Sequence, residues 1–432
     1  MINIFSKKKY KIFLRDKIHT VFRIIKKIFK ILFNRDIDKI RNILVYPAVR
    51  NEVILADILN RILWAFPYKI DLKIFVLVSD ELKSVDIGKL NTPEFQSRYL
   101  SNYNHIELIS KNELPDSANI DLYLVHNWKD VVKFIFSLKL HKVEIIDKNY
   151  FSIVEGSVWR DYYFNTFDDQ EKIHFQELSK ENFISLKEKV KNKKTSFLFL
   201  TGPSFSNYEN IVFPQDSIKI LCNTIIKNEA FLNYINNFDI LAFGDPVFHF
   251  SSCEYASIYR NNVLETVKKY NNYIIVPEET VPLLLAHYPE IQKYIIGLNR
   301  KSKQIIFPDE NNLAVKPGLS VVTYYMLPIA SAFSDKIYLI GADGRQKTEN
   351  YFWKHNSSVQ YDDLMNSVFQ THPSFFRDRD YSDYYEKHCE YFEEFLQFGE
   401  KKGIQYKSLT PSFIPALQKR EINENEKRLF YK

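Results

Sequence analysis

Polar residues and glycines follow the apolar runs in the second half of this 432-residue chain. The segments are Gly202-Pro203-Ser204, Asn223, Gly244-Asp245-Pro246, Pro277-Glu278-Glu279 and Gly341-Ala342-Asp343-Gly344. Ligands of open parallel sheets bind beyond the carboxyl ends of the strands, so these residues are expected to line one cleft. A turn that carries Gly and Ser can direct backbone N–H groups and a hydroxyl towards a phosphate. We therefore predict a phosphate-facing turn at residues 201–204, although it lacks the full pattern of a P-loop or a dinucleotide-binding loop.

Metal and disulfide chemistry find little support in the sequence. The three cysteines, Cys222, Cys253 and Cys389, are scattered and form no CxxC pair,. Asp343 resembles half of an Asp-X-Asp metal motif, but Arg345 stands where the second carboxylate would be. We expect neither a structural disulfide nor a bound metal.

Apolar runs of strand length alternate with helical patterns along the chain, as in parallel α/β proteins. The strand-like runs are 43–46, 72–78, 121–126, 143–147, 196–200, 218–222, 240–243, 273–276 and 336–340. Helical patterns occur at 52–64 and, nearly uncharged, at 320–333. The sequence predicts two Rossmann-like parallel-sheet domains, residues 42–190 and 195–432, joined by a Lys-rich helix or linker at 180–194.

The basic character of the chain belongs to its first 41 residues. They hold 13 Lys/Arg and 3 Asp, a net charge of +10, whereas the whole chain carries +6, so the remainder carries −4 (+6 minus +10). A nearly neutral body argues against a broad nucleic-acid-binding surface. Between Phe5 and Phe33, apolar residues recur at helical spacing and no uncharged stretch is long enough to span a membrane,. Residues 1–41 are thus typical of an amphipathic helix on an anionic membrane surface, or of a helix docked on its own domain or on a partner.

Several motifs occur in a telling order. They are Phe-Leu-Thr-Gly-Pro-Ser at 199–204, Leu-Cys-Asn at 221–223, Phe-Gly-Asp-Pro-Val-Phe-His-Phe at 243–250, Pro-Gly-Leu-Ser at 317–320 and Lys-Ile-Tyr-Leu-Ile-Gly-Ala-Asp at 336–343. This series resembles the bacterial sialyltransferases of the Campylobacter type, whose superfamily includes pterin-pyrophosphokinase-like and flagellin-glycosylation proteins. The resemblance covers residues 196–417 and does not extend to residues 1–190.

The resemblance implies roles for individual residues. The donor-binding set would be Gly202, Pro203, Ser204, Asn223, Asp245, Gly318, Ser320 and Asp343. At position 245 the family has an Asn, so this chain departs from the pattern there. Tyr351 and Tyr361 would stabilise the departing phosphate without a metal. The general base would be a histidine after these tyrosines; His372 fits best, with His355 and His388 as alternatives,.

The implied activity is metal-independent, inverting transfer of sialic acid or a related nonulosonic acid from a CMP-sugar donor to a cell-surface glycan acceptor. No cofactor beyond the CMP-sugar donor substrate is expected. Residues 42–190 would bind the acceptor, and the protein would lie in the cytoplasm on the inner face of the plasma membrane. A homo-oligomer is left open. The alternatives are a non-catalytic nucleotide-binding scaffold of the same fold and a magnesium-dependent pyrophosphoryl transferase.

Overall fold

A computed structural model describes residues 21–22, 24–25, 28, 39–90, 102–134, 137, 139–149, 159, 161–345, 356–374 and 382–432. Two of the residues assigned from the sequence, Tyr351 and His355, lie outside these ranges. Most of the basic N-terminal segment lies outside them as well; of its described residues, the five between positions 21 and 28 are helical.

The first domain is built on a five-stranded parallel sheet with the order β3-β2-β1-β4-β5. Its strands are β1 (Asn42–Val49), β2 (Lys73–Val78), β3 (Ile106–Ile109), β4 (Leu122–Val125) and β5 (Val143–Ile145). Helix α1 (Glu52–Ala65) follows β1, and the Asn51 side chain caps its first turn by accepting from the N–H groups of Val53 and Ile54,.

The second domain is built on a seven-stranded parallel sheet with the order β10-β9-β8-β7-β6-β11-β12. Its strands are β6 (Thr195–Phe199), β7 (Ile218–Cys222), β8 (Ile240–Ala242), β9 (Tyr273–Pro277), β10 (Ile295–Leu298), β11 (Lys336–Ile340) and β12 (Gln405–Ser408). The chain runs outward from β6 to β10 and then returns to place β11 on the other side of β6. The strand order therefore reverses between β6 and β11.

Helices cover the sheets, as parallel strands buried on both faces require. They are α2 (Asp169–Val190), α3 (Glu229–Ile235), α4 (Glu254–Tyr270), α5 (Val281–His287), α6 (Leu327–Phe333), α7 (Met365–Thr371), α8 (Ser382–Glu400), α9 (Pro415–Gln418) and α10 (Glu424–Phe430). A short π-helix, Val322–Met326, precedes α6. Pro328 lacks a backbone N–H, which favours this local departure from α-helical hydrogen bonding,. Within the described part of the chain, no helix has the length and apolar character of a membrane span.

The prediction of an α/β protein with two parallel sheets is confirmed. Of the Lys-rich stretch at 180–194, predicted as a helix or a linker, residues 180–190 form the second half of α2, and residues 191–194 connect it to β6. This helix packs against β10: the Asn182 amide donates to the carbonyls of Gln292 and Ile295, at 2.8 and 2.7 Å, and the Gly297 N–H donates to Ser179 Oγ at 3.1 Å.

Trp64 fastens the end of α1 to the second domain. The side chain is buried, and its indole N–H donates to the Phe250 carbonyl at 2.6 Å. One contact is a stacked His287 ring with its centroid 4.8 Å away, and another is the Arg260 guanidinium at 3.6 Å from the Trp64 ring centroid. The N-terminal domain is therefore held by specific packing as well as by the chain connection.

Replacing Trp64 with Ala should lower the free energy of unfolding by about 3–5 kcal/mol, because it removes a buried aromatic side chain and leaves the Phe250 carbonyl without its donor. Urea denaturation followed by circular dichroism measures the change. Val53→Ala is the matched control on the same helix; its side chain is 77% exposed, so a change within about 0.5 kcal/mol is expected. Equal stability of the two variants would show that Trp64 does not hold the domains together.

Candidate active site

The candidate site lies at the point where the strand order reverses. Strands β6 and β11 are paired, and the loops that leave their carboxyl ends cross at short range. The Gly202 N–H donates to the Gly341 carbonyl at 3.0 Å. Gly341 has φ +74°, and a Cβ there would lie 2.3 Å from the Leu200 carbonyl oxygen. Only glycine fits this crossing, which sits where open α/β sheets bind their ligands.

Asp343 joins the two loops through Ser204. The Ser204 N–H lies 3.1 Å from both carboxylate oxygens of Asp343, and the Ser204 hydroxyl donates to Oδ2 at 2.8 Å. Burial raises the pKa of Asp343, while the hydrogen bonds from Ser204 act to lower it,. Thr410, in the loop after β12, lies 2.9 Å from Ser204 Oγ and accepts from the Gly341 N–H at 3.0 Å. The N–H and hydroxyl that the sequence assigned to a phosphate are thus bonded within the protein.

Gly202 is required by this arrangement. A Cβ at Gly202 would lie 2.1 Å from Asp343 Oδ2 and 2.5 Å from the Gly341 carbonyl oxygen. The lack of a side chain at this position therefore allows the carboxylate to reach the start of the Pro203–Asn210 turn. An Asp at the N-terminus of a turn satisfies N–H groups that would otherwise lack an acceptor.

Asn223, directly after β7, has a backbone in the left-handed region and a side-chain oxygen that finds no hydrogen-bond partner among the described residues. Its φ of 49° places it in the left-handed region, which Asn tolerates better than most residues. Its Oδ1 is buried and accepts no hydrogen bond from the described residues. Backbone strain and unsatisfied polar atoms of this kind concentrate at functional sites.

Gly202, Asn223, Gly341 and Asp343 line one cleft, whose empty space of about 390 Å³ includes open solvent. Its walls come from the ends of β6, β7 and β11, from the turn before α6 and from α8. The residues that matter most for chemistry are Gly202, Asn223, Asp343 and His388, and Val321 and Val322 contribute an apolar wall. Of the strand-end segments that the sequence predicted to lie together, those after β6, β7 and β11 line this cleft through Gly202, Asn223 and residues 341–344, and one of the alternative histidines joins them. Ser204 and the segments after β8 and β9 are not among the lining residues.

His388 is fully buried in α8, and burial lowers its pKa to about 3. Tyr385, one turn earlier, fixes the helix against the loop after Asp343. Its hydroxyl accepts from the Arg345 N–H at 3.0 Å, and its ring lies 4.8 Å from the Arg345 guanidinium. Tyr384 also donates to the Leu319 carbonyl. These contacts set which face of α8 meets the cleft, and they could not be read from the sequence.

The remaining predicted donor residues have local roles in the structure. Asp245 Oδ1 accepts from the N–H groups of Val247 and Phe248, at 2.8 and 2.9 Å, and so caps the turn after β8. Ser320 donates its N–H to Thr323 Oγ1 at 3.2 Å, and a Cβ at Gly318 would lie 2.6 Å from the same atom. Gly318 and Ser320 therefore shape the turn that leads into the Val321–Val322 wall.

Two predicted catalytic residues lie in packed surroundings away from the cleft lining. Tyr361 is buried, accepts from the Asn262 amide at 2.6 Å and has its pKa raised to about 12 by burial. His372 is buried at the end of α7, where the preceding residue, Thr371, accepts through its carbonyl from the Arg61 guanidinium of α1 at 2.6 Å. His249 is buried as well, and its Nδ1 accepts from the Asp245 N–H at 2.9 Å.

Thr410 was not anticipated, because β12 has the polar sequence Gln-Tyr-Lys-Ser and gives no clear strand signal. In the part of the chain that the structure describes, no three His, Cys, Asp or Glu side chains come together in a group able to hold a metal ion.

Comparison with known proteins adds a likeness of fold. No protein-family model matches the chain, and no curated protein matches it significantly. The structure is similar to that of the monofunctional alpha-2,3-sialyltransferase Cst-I from Campylobacter jejuni, with 15% identity and a TM-score of 0.31 over 51% of this chain and 77% of the other. It is also similar to CstII from Campylobacter jejuni in complex with a substrate analogue, cytidine-5'-monophosphate, with 14% identity and a TM-score of 0.28 over 54% and 90%.

A third similar structure is that of CST-II in complex with trisaccharide acceptor and CMP, with 16% identity and a TM-score of 0.29 over 54% of this chain and 92% of the other. These similarities concern the fold of about half the chain and give no residue-by-residue correspondence.

The pKa of His388 predicts a pH effect on stability. Because it is lowered to about 3, whereas an unfolded histidine titrates near about 6.5, the folded state binds fewer protons between these values. Stability should therefore fall as the pH drops below about 6.5. In His388→Gln, the loss of unfolding free energy between about pH 7 and about pH 5 should be smaller by about 2 kcal/mol.

Urea denaturation at the two pH values measures this difference. His174→Gln serves as the control, since His174 is exposed on α2, and it should retain the wild-type loss. If His388→Gln and the wild type lose the same stability on acidification, His388 is not a buried neutral imidazole.

Proposed function

We propose that this chain is an inverting glycosyltransferase that takes a CMP-linked acidic sugar, such as sialic acid or a related nonulosonic acid, as its donor. The observation that carries the proposal is the cleft between β6 and β11. There, Gly202, Asn223 and Asp343 of the sialyltransferase-like motifs meet a buried histidine. The sequence resemblance supplies the substrate class, and the position of the cleft agrees with where such sheets bind nucleotides.

We assign the general-base role to His388 in preference to His372. In an inverting transfer the acceptor oxygen forms a bond to the anomeric carbon while the bond from that carbon to the phosphate oxygen breaks. CMP leaves with the bonding electrons, and the acceptor proton passes to a base. His388 lines the cleft and is neutral near pH 7 because its pKa is about 3. An anionic donor beside it would raise that pKa and make the imidazole a better proton acceptor.

Asp343 and Asn223 would have different tasks in donor binding. Asp343 has a raised pKa and holds the Ser204 turn in place, and an approaching phosphate would raise the pKa further. Asn223 offers a buried acceptor atom that accepts no hydrogen bond from the described residues, suited to an N–H or O–H donor of the nucleotide. The site would discriminate strongly against nucleotides that lack such an N–H or O–H group, because binding them would leave Asn223 Oδ1 buried without a hydrogen bond.

The remaining parts of the proposal concern the acceptor and the location. Residues 42–190 would bind the glycan acceptor, and Trp64 and Arg61 would hold them next to the donor domain. Tyr351 keeps its proposed task at the departing phosphate, whereas Tyr361, which is buried and bonded to Asn262 outside the cleft lining, does not. The enzyme would act on the cytoplasmic side of the plasma membrane, where the basic N-terminal segment would meet anionic lipid.

The test is turnover with a panel of nucleotide sugars, read as free nucleotide released with and without a glycan acceptor. CMP-linked acidic sugars should be the preferred donors. His388→Ala should lower turnover by about 100- to 10,000-fold and leave CMP affinity within a few-fold, because a general base acts mainly in the transition state. His372→Ala is the matched comparison and should retain most of the wild-type turnover, and EDTA should change little.

The possible outcomes separate the alternatives. The reverse ranking of the two histidine variants would return the base to His372 and leave the reaction class intact. Binding of CMP without turnover of any donor would favour a non-catalytic scaffold. Activity that is lost in EDTA and restored by magnesium would favour pyrophosphoryl transfer.

A further inference from the structure

The five described residues between positions 21 and 28 of the N-terminal segment divide into two sets. Phe22 is buried, with 3% of its surface exposed, and Ile25 packs beside it. We call these two residues the docking pair. They belong to, or pack against, an apolar cluster of the first domain that includes Leu44 on β1, Tyr123 on β4 and Val131 after β4. The segment is therefore seated on the first sheet, as one of the interpretations of the sequence expected.

The other three described residues point away from the domain. Val21, Ile24 and Ile28 are 47%, 53% and 47% exposed, and we call them the outer row. Their i, i+3, i+7 spacing places them on one side of a helix, because each residue turns the helix by about 100°. The same rotation separates the middle of the outer row from the docking pair by about 100°. A helix with one apolar side docked thus presents a second apolar side to its surroundings.

The charge of the N-terminal segment indicates which kind of partner contacts the outer row. Residues 1–41 carry 13 Lys/Arg against 3 Asp, and a basic segment with an apolar row is the pattern that binds anionic bilayers. A second copy of the chain is disfavoured as the occupant, because pairing two such segments would bring two +10 charges together.

We propose that the outer row of Val21, Ile24 and Ile28 inserts into the headgroup region of an anionic membrane while the docking pair keeps the helix on the first domain. The same helix then anchors the protein and fixes the orientation of the first sheet to the bilayer. This proposal does not rest on the enzymatic activity proposed above, and its test contains no turnover measurement.

The test is sedimentation of the full chain with vesicles made of equal parts phosphatidylcholine and phosphatidylserine. Val21→Ser/Ile24→Ser/Ile28→Ser should weaken binding at least about tenfold, because the inserted apolar area is lost while the charge is unchanged. The matched control is Ile173→Ser/Ile184→Ser/Leu429→Ser, at positions 48%, 46% and 74% exposed on α2 and α10. The control should bind like the wild type, and vesicles of phosphatidylcholine alone should bind all three proteins weakly.

A second variant tests whether the two faces have different tasks. Phe22→Ala should lower the midpoint of thermal unfolding and keep vesicle affinity within about threefold, since Phe22 is buried against the domain,. The outer-row variant should show the opposite pattern, with an unchanged midpoint.

Three results would overturn the proposal. The first is equal vesicle binding by the outer-row variant and its control. The second is a loss of vesicle binding in Phe22→Ala that matches the loss in the outer-row variant. The third is a wild type that ignores vesicles but sediments as a dimer, with the outer-row variant monomeric; the row would then be a self-association surface.

Discussion

The close crossing of two loops at the switch point is the constraint on which the rest of the site depends. The Gly202 N–H meets the Gly341 carbonyl at 3.0 Å, and neither residue has room for a side chain. This closeness lets the Asp343 carboxylate accept from the Ser204 N–H and hydroxyl. A buried carboxylate without such donors would be costly. Hydrogen bonds between the loops therefore shape the cleft. The site is preorganised before a ligand binds.

A preassembled framework changes the expected chemistry of the turn. Because the Ser204 N–H is directed at Asp343, we expect the donor substrate to be recognised by groups that can still form hydrogen bonds, such as Asn223 Oδ1. His388 contributes a neutral imidazole to the same cleft. The cleft is lined largely by apolar residues. The charge of an anionic ligand would therefore act on the titratable groups of His388 and Asp343 with little screening, so ligand binding and the protonation of these groups are coupled.

The sequence predicted the features that follow from the pattern of apolar and polar residues. It did not predict the features that depend on how a helix is oriented against its neighbours. The central strands were evident because they are continuous apolar runs, and the meeting of Gly202, Asn223 and Asp343 follows from the parallel sheet itself. Strands β3, β10 and β12 were not predicted: β12 is polar, and the short apolar runs of β3 and β10 are interrupted by Glu107 and Gly297. Whether His388 reaches the cleft depends on the rotation of α8, which the Tyr385–Arg345 contact fixes across 40 residues of chain. No local pattern records such a contact, and Tyr351 and His355 lie outside the described residues.

The contacts between the two domains bear on how an acceptor would reach the donor cleft. Arg61 donates to the Thr371 carbonyl at the end of α7, and Trp64 is enclosed by Phe250, Arg260 and His287. Both residues lie on the last two turns of α1, so the helix that supports the first sheet is held by the second domain. A glycan bound to the first sheet would thus meet the cleft in a set orientation, with part of the entropic cost of alignment already met by folding. The N-terminal helix is positioned by packing in the same way, because Phe22 joins the apolar cluster on the first sheet. Membrane surface, acceptor domain and donor cleft would then form a series in which each part is positioned by packing against the next.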